Sequence, residues 1–127
     1  MRLGLADVYN PSMLPTLRPG DRLLLGHGAR VRPGHVIVVR HPLQQDLLIV
    51  KRAAERRSGG WWVEGDNPLV TNDSREFGVV PDALVVARAL LRLRLPLRHQ
   101  RSPLSVLAWL PTAVLPLAAR SRRLRAR

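Results

Sequence analysis

Two residues in this chain of 127 pose the first chemical question. Lys51, in "LLIVKRAAER", is the one lysine among 21 lysines and arginines. An amine can be made neutral inside a protein and then act as a base, whereas a guanidinium keeps its proton. Ser12, in "NPSMLPTLRPGD", is a hydroxyl near the start of the chain. Serine becomes a nucleophile when a base takes its proton and donors hold the oxyanion. On a strand, Leu47, Ile49, Lys51 and Ala53 share one face and Arg52 turns to the other. Burial there without a counter-charge pushes the ammonium toward its neutral form; moving its pKa from about 10.4 to 7 or 8 takes about 4 kcal/mol, within the range of buried lysines. Each residue also has a plain reading. A serine beside proline serves as a turn residue, a lysine on a sheet edge extends its head to water, and the arginine excess reflects genome composition.

The elements that must hold these residues read as short strands. At this length the chain fits one domain. Eleven prolines and nine glycines punctuate apolar runs such as "DRLLLG", "HVIVVR" and "GWWVEG", which suits strands and turns and predicts a mainly β fold. Two echoes, "RPGDRLLL" and "RPGHVIVV", place Pro-Gly before an apolar run, as a type II turn feeding a strand would. "QDLLIVKRAAE" is a further strand and "GGWWVEGDNP" a turn, short strand and turn. "FGVVPDALVVARALLRL" reads as one or two strands, with a helix equally compatible with its second half.

The formal charge of +12 is concentrated toward the C-terminus, which points to an anionic membrane surface or nucleic acid as a partner. One tyrosine and one phenylalanine supply few stacking platforms, so specific nucleic-acid binding is not expected. Residues 102–119 are free of charge and are followed by "RSRRLRAR". Prolines at 103, 111 and 116 would interrupt a membrane helix, so 102–127 is expected as an apolar, arginine-ended tail beside a catalytic domain of 1–101. The absence of cysteine excludes disulfides and thiolate chemistry. Four scattered histidines do not suggest a metal site, and no cofactor is expected.

"PSMLPTLRPGD", "LIVKRAAER" and "WWVEGDNPLVTNDSREFGVVP", in this order, resemble the successive motif boxes of the type I signal peptidase family of Ser/Lys proteases, over about residues 9–82. The resemblance implies a catalytic β core of short antiparallel strands, with Ser12 as nucleophile and Lys51 as general base. It implies an oxyanion hole from the backbone N–H of Ser12 and a side chain two residues earlier, here Asn10, with Met13 beside the nucleophile. Thr71 occupies the place of a hydroxyl that bonds the lysine, and Asp73 with Arg75 match a supporting ion pair; Asp66 and Asn67 are expected as scaffold. His35 departs from a common Gly-Asp turn.

Eleven residues precede Ser12. That short, anchorless form and "SREFG" look most like the nickel-type superoxide dismutase maturation proteases, which implies removal of an N-terminal propeptide by a cytoplasmic enzyme, peripheral at the inner face of the membrane. The alternatives are a signal peptidase cleaving secretory precursors, anchored through 102–119, and a non-catalytic basic module binding membrane or nucleic acid. The protease readings imply a precursor bound as an extended segment along a sheet edge.

Overall fold

A computed structural model describes residues 2–94 and 114–116. The fold is mainly β: β1 (Arg2–Asp7), β2 (Arg22–His27), β3 (Val36–His41), β4 (Gln44–Arg57), β5 (Gly60–Glu64), β6 (Val80–Pro81), β7 (Val85–Leu93) and β8 (Val114–Pro116). One four-residue helix, α1 (Ser74–Phe77), lies between β5 and β6. The strands form one antiparallel sheet in the order β1-β2-β7-β3-β4-β5-β6, with β8 paired to β7.

The two Pro-Gly echoes fold alike. In "RPGD" the Arg18 carbonyl accepts from the Asp21 N–H at 3.0 Å, and the Asp21 carboxylate accepts from the Arg18 N–H at 2.9 Å. In "RPGH" the Arg32 carbonyl accepts from the His35 N–H at 3.1 Å, and His35 Nδ1 accepts from the Arg32 N–H at 2.9 Å. Gly20 and Gly34 both take φ of 96°, which only glycine adopts without steric cost. The imidazole of His35 therefore closes its turn as the Asp21 carboxylate closes the other, which accounts for the departure at 35.

"HVIVVR" shows no alternation because β3 is buried on both sides. Val36 and Val38 join a cluster with Val8, Met13, Leu17 and Leu23, while Ile37 and Val39 join one with Ile49, Ala53, Trp61 and Val63. Burying each such side chain fully contributes about 1.5–3 kcal/mol, so among the described residues the middle of the sheet holds the core. β4 pairs with β3 so that Lys51 stands opposite Ile37 and Arg52 opposite Val36.

Val85–Leu93 settles as strand rather than helix, because β7 is held by β2, β3 and β8 at once. β1 was not foreseen. It is a sheet-edge strand with four of its six residues exposed, Leu3 and Leu5 among them, so its leucines mark no buried face. The expected boundary at 101 lies outside the described residues, as does most of the tail; of 102–127, the described Val114–Pro116 join the sheet.

Candidate active site

Ser12 sits in a single 3-10 turn, Pro11–Met13. Proline presets the backbone angle at its first position, and Met13, 1% exposed, anchors the turn in the core. The Asn10 side-chain oxygen accepts from the Ser12 N–H at 2.9 Å. Asn10 is therefore beside Ser12, but in this state its oxygen caps the N–H that an oxyanion would use, and its amide does not stand in as a second donor.

Lys51 reaches the same place from β4. It and Ser12 line one cleft of about 200 Å³, with Val8, Tyr9 and Leu48 among the walls. Ser12 is 5% and Lys51 2% exposed. Ile49 and Ala53 are buried on the lysine's face as the strand period required, whereas Leu47, where the strand runs out to the cleft mouth, is exposed. Burial holds the Lys51 ammonium below its ordinary pKa; Asp73 and Glu76 oppose that shift and Arg75 adds to it. No ion pair among the described residues engages Lys51, so desolvation is not offset by a bonded carboxylate.

The segment after β5 ties Ser12 and Lys51 together. A Cβ on Gly65 would lie 2.7 Å from the Ser12 carbonyl oxygen, so glycine is required for this close approach. The Ser12 carbonyl accepts from the Asn67 N–H at 2.9 Å, and the Asn67 side-chain amide donates to the Pro11 carbonyl at 3.0 Å. Asp66 accepts from the Thr16 hydroxyl at 2.6 Å and from Arg52 Nη2 at 2.7 Å. Arg52 in turn donates to the Gly34 carbonyl at 2.7 Å. Asp66 thus joins the loop after Ser12 to the strand that carries Lys51. Its partners come from the two halves of the site; Thr16 and Gly65 carry no comparable sequence signal.

Asp73 is fully buried and Arg75 half-exposed. Burial would raise the Asp73 pKa, but hydrogen bonds from Arg75 and the Gly65 N–H outweigh it and hold the carboxylate below its ordinary value. The pair is therefore no plain surface pair, because it fixes Gly65 behind Ser12. Ser74 Oγ accepts from the Val63 N–H at 2.7 Å, which docks α1 on β5. Thr71 is exposed and its hydroxyl donates to Glu76 at 3.2 Å, so it is not placed on the lysine here: Glu76, one turn along α1, competes for the hydroxyl.

The edge of β4 beside the cleft is open. Residues 48–50 pair only with β3, whereas β5 begins its pairing at Arg52. Backbone groups of β4 therefore face the cleft, an arrangement that can take an added strand. The site can do acyl-transfer chemistry: a hydroxyl and a desolvated amine in one cleft, with a strand edge to align a peptide.

No family model matches the chain. It is 33% identical over 113 residues to mitochondrial ATP-independent inner membrane protease subunit 1a of Arabidopsis thaliana, covering 68% of this chain and 67% of that protein. It is 34% identical over 107 residues to mitochondrial inner membrane protease subunit 1 of Xenopus tropicalis, covering 65% of this chain and 64% of that protein. Against the Arabidopsis subunit 1b it is 29% identical over 116 residues, or 70% and 69% of the two chains.

Proposed function

This chain belongs to the family of signal-peptidase-like inner membrane proteases, and on that premise we propose that it is a serine endopeptidase with Ser12 as nucleophile and Lys51 as general base. The observation that carries this is the burial of both side chains in one cleft, with the lysine held toward its neutral form. Neutral Lys51 takes the Ser12 proton as Oγ bonds to the peptide carbonyl carbon. The protonated amine then gives that proton to the leaving nitrogen as the C–N bond breaks. Water, deprotonated by the same amine, releases the acyl group and restores the serine.

An extended substrate would add to the open edge of β4 and present its carbonyl to Ser12. The oxyanion needs the Ser12 N–H, so Asn10 must first turn its oxygen away; its amide can then donate in place of the cap. Asp66, Asn67, Asp73 and Arg75 act as positioning residues.

The substrate is a precursor from which an N-terminal segment is removed. The relatives' names speak for a protease of an inner membrane rather than for the narrower propeptide of nickel superoxide dismutase, and they give no support to a cytoplasmic setting. Among the described residues no helix is long and apolar enough to cross a membrane. Incubating the full chain with a secretory precursor should release its N-terminal segment, and Ser12→Ala should release none. Intact precursor after incubation with folded wild type, or cleavage that survives Ser12→Ala, would contradict the proposal.

A further inference from the structure

A second cavity shares no residue with the catalytic cleft. It has a volume of about 620 Å³ and opens between the β2–β3 connection and the start of β7. Trp61, buried, and the half-buried Val31, Val85 and Val86 give it apolar walls, and its rim carries Arg30, Arg32 and Arg56. Arg56 is committed to Asp82 in a two-pronged ion pair and lies 5.3 Å from the Trp61 ring centre. Arg30 and Arg32 are exposed, and neither side chain has an ion-pair partner among the described residues. Behind them Arg88 reaches the Arg30 carbonyl at 3.4 Å, and its buried Nε has no hydrogen-bond partner.

The charge balance is uneven. Four guanidiniums meet one carboxylate, and that carboxylate is taken. The neighbouring imidazole of His35 registers the excess: burial first, then Arg88, Arg32 and Arg52, hold it below its ordinary pKa. A protein gains nothing in stability by gathering unpaired like charges at one rim, since they repel one another. An anion would relieve that repulsion.

We propose that this cavity binds a compact phosphate ester, gripped at the rim by Arg30 and Arg32 with Arg88 behind, its organic part resting on the Val31 and Val85 wall. Guanidinium forks match phosphate oxygens two at a time, and a phosphate ester carries enough charge to answer more than one of them. A nucleic-acid strand fits less well. Trp61 is buried and the Trp62 ring is covered by Arg57 at 4.0 Å, so neither of these tryptophans offers a free face on which bases could stack. The phosphate could come from a soluble ester or from a phospholipid head group, and the chemistry of the grip is the same.

The test uses the full chain, with indole nitrogens labelled so that the Trp61 signal can be followed by NMR during titration with glycerol phosphate. The Trp61 signal should move saturably, and binding should weaken as salt rises from about 50 to about 200 mM. Arg30→Gln combined with Arg32→Gln changes two exposed loop residues, so the fold should persist; it should weaken binding at least about tenfold, the cost of roughly one charge-assisted hydrogen bond. Peptide cleavage should be unchanged, because no residue is shared with the cleft. Absence of a saturable shift, or equal binding by the double variant, overturns the proposal. Flotation with phosphatidylglycerol vesicles then assigns the source. Flotation reduced in the double variant identifies a lipid head group, and unchanged flotation, carried by other arginines, identifies a soluble ester.

Discussion

Lys51 and Arg52 are adjacent on one strand, both are buried, and the fold treats their charges in opposite ways. Arg52 turns to one face and meets Asp66, which takes two of its N–H groups, while the Gly34 carbonyl takes a third. Lys51 turns to the other face, where apolar neighbours and the cleft desolvate it and no carboxylate is bonded to it. A buried cation can be kept charged by a partner or kept neutral by the lack of one. The paired cation holds the site together; the unpaired one is free to accept a proton. On the proposed mechanism the lysine at 51 is a requirement of the chemistry, in a chain that otherwise uses arginine for its basic side chains.

The comparison can be broken on either side. The largest expected effect is on the paired side. Arg52→Met leaves Asp66 buried without its counter-ion and should cost about 3–5 kcal/mol of stability, read as a lower denaturant midpoint. On the unpaired side, Lys51→Arg keeps the charge and approximate length but installs a group that cannot accept the Ser12 proton. Turnover should fall at least about 100-fold in a protein shown to be folded by circular dichroism. Gly65→Ala drives a methyl against the Ser12 carbonyl and should cost roughly 1–3 kcal/mol, with a fall in kcat larger than the change in KM because the nucleophile is displaced.

The smallest effect has the opposite sign. Lys51→Met removes a desolvated amine and should raise stability at neutral pH by roughly 0.5–2 kcal/mol while abolishing activity. The same replacement one residue apart, stabilising at 51 and destabilising at 52, is the sharpest form of the contrast. The pH dependence follows from the lowered Lys51 pKa. Between the folded value and about 10.4 the unfolded chain holds the extra proton, so stability should rise with pH across that window. Lys51→Met should flatten that rise.

What could be seen in the sequence was local. The Pro-Gly turns, the strands that follow them and the face shared by Ile49, Lys51 and Ala53 are each set by a few consecutive residues. What could not be seen is long-range. The hydrogen bond from Thr16 to Asp66 spans 50 positions, and the approach of Gly65 to Ser12 spans slightly more. β1 carries Leu3 and Leu5 on its exposed side, where they mark no buried face, and α1 is four residues long, too short for a helical period. The resemblance names Thr71 and Asn10 but not their hydrogen bonds, each of which a competing partner decides: Glu76 for the first and the Ser12 N–H for the second.

The central claim concerns the protonation of a single amine, and the composition makes it directly measurable. With one lysine in the chain, labelling lysine at the ε-carbon gives one side-chain signal, free of overlap, whose shift can be followed against pH. Lys51 should titrate below the ordinary value of about 10.4, and the rising limb of kcat/KM should fall at the same pH, since only the neutral amine accepts the Ser12 proton. A Lys51 signal that titrates at or above about 10.4, or an activity profile that does not follow it, would contradict the assignment of Lys51 as the base.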